Sequence, residues 1–356
     1  MTRPVSIGVT MGDPAGIGPE ILLDAFAQLA PRVSAGELRL VAIGAPAVLA
    51  RVARAKKIDV QFAAAADHKA FPEIPLAAAS DPGGDIPLAQ VSSEAGRLAY
   101  AAVERAVKLA LSGDIDGFAT GPISKEAINL AGYAYSGHTD MLADLTGTRG
   151  TVMMLAHGDL RVTHVTTHVA LAKVPGLVTA ERVRHVLTLT LATLRSLGIA
   201  RPRIAVAALN PHAGERGLFG DEDERVLAPV IAAFAGAGET VTGPHSGDTV
   251  FVRAAAGEFD AVVAMYHDQG HIPIKLLGFR IDPASRRWVG LSGVNVTLGL
   301  PIIRTSVDHG TAFDIAGRGV ANPQSMIEAI EYAERLARGR LRDPGEGAKE
   351  AKTQED

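Results

Sequence analysis

A chain of 356 residues with 35 basic and 39 acidic side chains carries a net charge of −4 and no Cys, which excludes disulfides, thiol nucleophiles and thiolate-held zinc. Aromatics are only 4% and there is no long basic run, so no nucleic-acid partner is expected. Apolar residues reach 47%, enough for large cores, yet no apolar run approaches the ~18 residues of a membrane helix, and the length favours two domains.

The N-terminal "MTRPVSIGVTMGD" runs straight into a strand-like stretch without signal-peptide architecture, so a cytoplasmic protein with no membrane partner is expected. The first strand, 5–11, ends in "GDPAGIG" before a helix over 19–30. A strand at 38–44 follows, then a helix at 94–111 whose Leu98, Ala101, Ala102, Ala106 and Leu109 form one apolar stripe. Glu104 and Lys108 lie outside that stripe at i, i+4. Strand 116–120 ends in "GPISK", and strands at 151–155 and 161–167 follow, the latter ending in "HVALAK". After a helix at 180–197, strand 203–209 ends in "NPHAGE" and leads to a helix at 222–235. Strand 260–266 ends in "HDQGH", strand 301–307 ends in "DHGTA", and a helix covers 323–339. The charged tail 342–356 reads as disordered. Strands alternating with helices predict an α/β protein with a largely parallel sheet. Polar clusters at strand ends are where such sheets hold ligands.

Each cluster also has a plain structural reading. Gly12, Gly16 and Gly18 match neither the dinucleotide fingerprint nor a Walker loop, and a tight turn explains them equally well. His168, His212 and His267 each follow a strand, and three imidazoles would suit zinc or another borderline divalent ion with a position left open. Singly, each reads more readily as a core or capping histidine. His138 and Thr139 stand where a helix begins, a place that suits an anion, although Thr139 or Ser136 could be an ordinary cap. Lys275, Asn295 and Arg304 could add a cation, a donor and a guanidinium fork for phosphate. In "MYHDQGHIPIK", Gly270 and Pro273 argue against a regular helix, so the His267/His271 spacing is not read as a helical metal pair.

Taken together, "GDPAGIGPE", "TGPISKEAIN", "GHTD", "TTH", "NPHAGE", "MYHDQG" and "GVNVTLGLPIIRTSVDHGTAFDIAGRG" resemble the 4-hydroxythreonine-4-phosphate dehydrogenase family over roughly residues 4–340. "GDPAGIGPE" and "DHGTAFDIAGRGVANP" also resemble loops of isocitrate and isopropylmalate dehydrogenases, which bind NAD without a Rossmann fingerprint. The resemblance implies two α/β/α domains around a central cleft. One is discontinuous, 1–122 with 263–341, on the cofactor side; the other, 123–262, carries metal, substrate and dimer contacts. It implies His168, His212 and His267 as ligands of one divalent metal, zinc first, with magnesium or cobalt as alternatives. It implies His138, Thr139, Lys275, Asn295 and Arg304 as substrate-binding residues. His309, Gly310, Thr311, Ala312, Asp314, Ile315 and Asn322 become the expected contacts of NAD or NADP. The implied partners are a small phosphorylated hydroxy acid and a second copy of the chain, with an active site shared between subunits. Asp248 and Lys125 are the candidate proton acceptors. His271 receives no role.

One departure bears on the substrate. "FRIDPASRRWVGLSGV", with Arg280, Arg286, Arg287 and the only Trp, Trp288, is longer than the matching segment in the vitamin B6 precursor enzymes. It resembles the branch acting on 4-phospho-D-threonate or 4-phospho-D-erythronate, although a hairpin without effect on specificity fits the same residues. The expected reaction is oxidation and decarboxylation of 4-hydroxythreonine 4-phosphate, giving 3-amino-2-oxopropyl phosphate. The tetronates, giving dihydroxyacetone phosphate, are the alternative. More distant readings are a three-histidine hydrolase and a non-catalytic sugar-acid sensor.

Overall fold

The computed structural model describes residues 3–83, 85–284 and 288–342. The chain divides into two compact units, one running to Thr151 and resuming at Leu300, the other Val152–Gly299. These bounds differ from the expected 1–122 with 263–341 and 123–262. Arg286, Arg287 and the tail from 343 on lie outside the described residues.

The first unit opens with β1 (Val5–Thr10), α1 (Gly18–Ser34), β2 (Leu38–Gly44), α2 (Pro46–Ala55), β3 (Gln61–Ala64) and β4 (Glu73–Ala78). It continues with α3 (Ser93–Ser112), β5 (Gly117–Thr120), α4 (Lys125–Leu130) and α5 (His138–Thr146). The second unit holds β6 (Val152–His157), β7 (Leu160–His164), α6 (Val174–Leu177), α7 (Ala180–Ser196), β8 (Arg203–Ala207), α8 (Ala228–Gly236), β9 (Thr240–His245) and α9 (Val250–Ala255). Then come β10 (Ala261–Ala264), α10 (His267–Gly278), β11 (Phe279–Ile281), β12 (Trp288–Leu291) and β13 (Val294–Leu298). The chain returns to the first unit for β14 (Arg304–Val307) and α11 (Gln324–Arg342).

In the first unit the strands run β3-β4-β2-β1-β5-β14 and every pair is parallel. In the second the order is β13-β6-β7-β10-β8-β9, antiparallel at β13/β6 and β6/β7 and parallel beyond. The α/β expectation holds. Val9, Val41, Phe118 and their neighbours are wholly buried, as parallel strands covered by helices require. The α3 stripe packs as its periodicity predicts, with Leu98, Ala102, Ala106 and Leu109 buried and the Glu104–Lys108 pair outside at 2.8 Å. Ser92 caps that helix by accepting the Ala95 N–H, and Gly113 ends it at φ 79°.

One expectation fails. The segment from His267 is a helix through Gly278 despite Gly270 and Pro273. Tertiary anchors outweigh local propensity there. The Gln269 carboxamide accepts the Met265 N–H and donates to the Ala208 carbonyl, both at 2.7 Å. Gly270 lets the helix lie directly on β7, since a Cβ would sit 2.3 Å from His164 Nε2 and 2.7 Å from Val162. Ile274 is fully buried. Pro273 still removes one donor to the carbonyl of residue 269, a cost that these anchors outweigh.

Candidate active site

In the first unit the carboxyl ends of β1, β5 and β14 carry the polar loops. Arg304, the first residue of β14, is buried, and its Nη2 donates to Thr120 Oγ1 at the end of β5 (2.6 Å). Burial pulls its pKa down to about 9, which still leaves it charged at neutral pH. Lys125 opens α4 and His138 opens α5. Burial first, then the charges of Arg304 and Lys125, hold His138 well below its ordinary pKa, so its ring is neutral. Its Nε2 is buried without a hydrogen-bond partner. Gly137, not Ser136 or Thr139, is the N-cap of α5, and no side chain caps it. The first-turn N–H groups of His138 and Thr139 are therefore met by no capping side chain, a setting that suits an anion.

Sequence reasoning passed over Asp13, which ends up at the centre of the first loop. It is wholly buried, its Oδ1 accepts the Ala15 N–H (2.9 Å), and its own N–H donates to the Pro122 carbonyl (2.8 Å). Burial raises its pKa to about 6. The "GDPAGIG" loop in turn meets the segment after β14. Ile17 N–H donates to the Thr311 carbonyl (3.0 Å), and a Cβ at Gly16 would lie 2.8 Å from that same oxygen. The Glu20 carboxylate accepts from the N–H groups of Gly317 and Gly319. Ala312 is held at φ 45°, and Asn322 Oδ1 accepts the Gln324 N–H at the start of α11. The 309–322 segment is thus fixed from its inner side. His309, Thr311, Ala312 and Ile315 are half-buried, whereas Gly310, Asp314 and Asn322 are exposed. A Cβ at Gly310 would meet nothing within 4 Å, so the backbone there is open to close approach by a cofactor.

In the second unit His168, His212 and His267 follow β7, β8 and β10. The rings of His168 and His267 lie 5.6 Å apart, centre to centre. His267 Nδ1 is 2.7 Å from Asp268 Oδ1, the carboxylate contact that orients a metal-bound imidazole and leaves Nε2 to the ion. His212 lines a cavity of about 450 Å³ together with Asn210, Asp248, Tyr266 and Asp268, the neighbour of His267. It sits at φ 51°, ψ 33°, in a run of left-handed residues that a loop keeps only when its surroundings enforce it. The buried Asp223 carboxylate does so, accepting the N–H groups of Leu209 (2.8 Å) and Asn210 (3.0 Å). The donor chemistry fits a borderline divalent ion, and the His168/His267 pair fits its spacing. Among the described residues no three His, Asp or Glu side chains of one chain converge on a point.

His271 acquires a place that its sequence did not disclose. It stacks on His267 with ring centres 3.6 Å apart and planes 13° apart, and its Nδ1 lies 2.9 Å from the His267 carbonyl. The wholly buried His164 backs it at 4.8 Å. Burial and neighbouring imidazoles push both down, His271 to about 4 and His164 to about 3. Lys275, one turn beyond His271, places its Nζ 4.2 Å from the centre of the Phe279 ring. Asn295, in β13, has its Oδ1 buried with no hydrogen-bond partner. Asp248 is exposed at the cavity rim in the second unit, and Lys125 is exposed in the first.

Comparison with known proteins places this arrangement. The family model for the pyridoxal phosphate biosynthetic protein PdxA matches residues 37–333. A Bradyrhizobium diazoefficiens protein, named provisionally as a D-threonate 4-phosphate dehydrogenase, is 57% identical over 334 residues, 94% of this chain and 97% of that protein. A 4-hydroxythreonine-4-phosphate dehydrogenase of Desulfosudis oleivorans is 46% identical, with 93% of this chain and 95% of that protein covered. The crystal structure of the Klebsiella pneumoniae 4-hydroxythreonine-4-phosphate dehydrogenase matches with a TM-score of 0.80 at 43% identity, covering 95% of this chain and 99% of that one. The family match, the identities and the shared fold agree: this chain belongs to the PdxA family of dehydrogenase-like proteins.

Proposed function

We propose that the protein is an NAD(P)-dependent, metal-dependent dehydrogenase that oxidises and decarboxylates a 3-hydroxy acid phosphorylated at C4. The observation that carries this reading is the adjacent His168/His267 pair with Asp268 behind it, in a chain whose relatives are named dehydrogenases of such acids. His168, His212 and His267 would hold the divalent ion, zinc first. When bound it supplies Lewis acidity, easing loss of the alcohol proton and stabilising the negative charge left by decarboxylation. Lys275 and Arg304 bind phosphate, assisted by Thr139, Asn295 and the neutral His138. Binding that remote group orients the reacting carbon. Residues 309–322 hold the nicotinamide cofactor. Asp248 or Lys125 takes the hydroxyl proton. Loss of hydride from C3 gives a β-keto acid, which releases CO2, and C2 is then reprotonated.

The assembly in this reading is a homodimer with shared sites. One observation supports it: Leu171, Leu218, Ile272 and Leu276 are 64–79% exposed in the second unit. Between candidate acids, the 57% identity to the D-threonate-type relative and the Trp288 hairpin favour 4-phospho-D-threonate over 4-hydroxythreonine 4-phosphate. NADH formation with 4-hydroxythreonine 4-phosphate, 4-phospho-D-threonate and 4-phospho-D-erythronate, each with and without a chelator, tests the proposal. Turnover of at least one acid, abolished by chelation, is the expected result. No NADH from any of them sinks the reading, and chelator-resistant turnover sinks the role of the histidines.

A further inference from the structure

β11 and β12 take no step in the chemistry above, yet they set three side chains in a defined arrangement. β11 and β12 pair antiparallel as Phe279↔Leu291, Arg280↔Gly290 and Ile281↔Trp288, with a register irregularity between Arg280 and Ile281. Diagonal neighbours on one face of such a pair lie within reach of aromatic rings. Trp288 accordingly meets Phe279 edge-on, with ring centres 5.7 Å apart at 84°. On Phe279 lies the Lys275 ammonium, 4.2 Å from the ring centre. Indole, phenyl ring and ammonium form one contiguous series.

The hairpin is fastened where the series begins. Gly278, the last residue of α10, approaches Ser292 so closely that a Cβ would meet its carbonyl at 2.2 Å. Ser292 N–H donates to the Gly278 carbonyl (3.1 Å), and Ser292 Oγ lies 2.9 Å from His157 Nδ1 in β6. This matters because lysine is a point charge on a four-carbon stem, free to sample many rotamers unless something holds it. A ring face attracts the ammonium, and an edge-on aromatic neighbour fixes that ring. Trp288 is itself 59% exposed, so core packing does not account for it.

We infer that the β11/β12 pair is a phosphate-specificity device, in which Trp288 acts as a positioning residue that, through Phe279, holds the Lys275 ammonium ready for the substrate phosphate. The inference rests on the reading of Lys275 as a phosphate-binding residue, and the experiment separates the two. Steady-state kinetics are measured with the phosphorylated acid for wild type, Trp288→Ala, Trp288→Phe and Lys275→Ala. The expected result is an about fivefold rise in KM for Trp288→Ala with kcat within about twofold, near-wild-type values for Trp288→Phe, and a larger KM rise for Lys275→Ala. The chain has a single Trp. Its emission should therefore shift on titration with inorganic phosphate in the wild type and stay flat in Lys275→Ala. A Trp288→Ala protein with unchanged KM, a loss confined to kcat, or a flat phosphate titration in the wild type overturns the hairpin's role while leaving the Lys275 reading intact if Lys275→Ala is impaired. A Lys275→Ala protein with wild-type KM removes the underlying reading, and the inference with it.

Discussion

Asp13 is a carboxyl group with nowhere to put its charge. It is fully buried, and burial raises its pKa from 3.8 to about 6, against the pull of backbone N–H groups from Ala15 and Ser124. A pKa raised in the folded state favours folding below the unfolded value and loses that contribution as pH climbs through the folded one. The fold should therefore weaken between about pH 4 and pH 6, by up to about 3 kcal/mol from this group. Asp13→Asn keeps the acceptor oxygen and removes the titration. Its melting temperature should stay flatter over that window and exceed wild type at pH 8; a parallel decline in both proteins would refute the assignment. At the opposite extreme of charge, Arg304 relies on Thr120 as a neutral partner. Thr120→Val should raise KM for the phosphorylated acid roughly tenfold with a smaller change in kcat, as expected for a lost charged hydrogen bond, and steady-state kinetics would check it. His168, His267 and Arg304 were legible as candidates because imidazole or guanidinium at a strand end is informative in itself. Asp13 and His164 were not. Their significance lies in burial, and burial is set by the 121–124 loop and by α10, both remote in sequence.

At the level of elements, the α/β alternation was legible wherever apolar runs and stripes were long. α3 matches its predicted span to within a residue at each end. Short strands such as β3, and the hairpin β11/β12, carried too few residues to show a period. α10 was misread for a different reason. In sequence Gly270 and Pro273 read as helix breakers, whereas the glycine is a packing requirement imposed by the buried His164 ring. Gly270→Ala should consequently destabilise the protein by about 2–3 kcal/mol, as overpacking in a closed interior does. Denaturant unfolding measures that cost, and a loss below ~0.5 kcal/mol would mean that the helix can lift away from β7 freely. Metal affinity should fall in the same variant, because His267 stands on the first turn of that helix.

For the molecule as a whole, a twofold dimer in which His212 of one chain completes the His168/His267 site of the other makes a quantitative prediction. His212→Ala and His267→Ala proteins should each be inactive alone. Dissociated and reassociated together at equal amounts, they should recover about a quarter of wild-type activity, since half the dimers are mixed and each mixed dimer has one intact site. Sites contained within single chains would recover nothing. Among the described residues no helix is long and apolar enough to cross a membrane.

The return of the chain to its first unit has a consequence for biosynthesis. β14 pairs with β5 through Arg304↔Phe118 and Thr305↔Ala119, and Glu20 receives N–H groups from Gly317 and Gly319. A ribosome that has finished β5 must make about 180 further residues before β14 emerges, a delay of roughly ten to forty seconds at ordinary elongation rates. Through that interval the Gly117–Thr120 edge is bare, an apolar strand margin open to pairing with another nascent chain. The Arg304–Thr120 contact is among the last things the growing polypeptide can assemble. Slow translation or a stall downstream of residue 120 should thus cost this protein yield, through aggregation of half-finished chains, before it costs any finished molecule its activity.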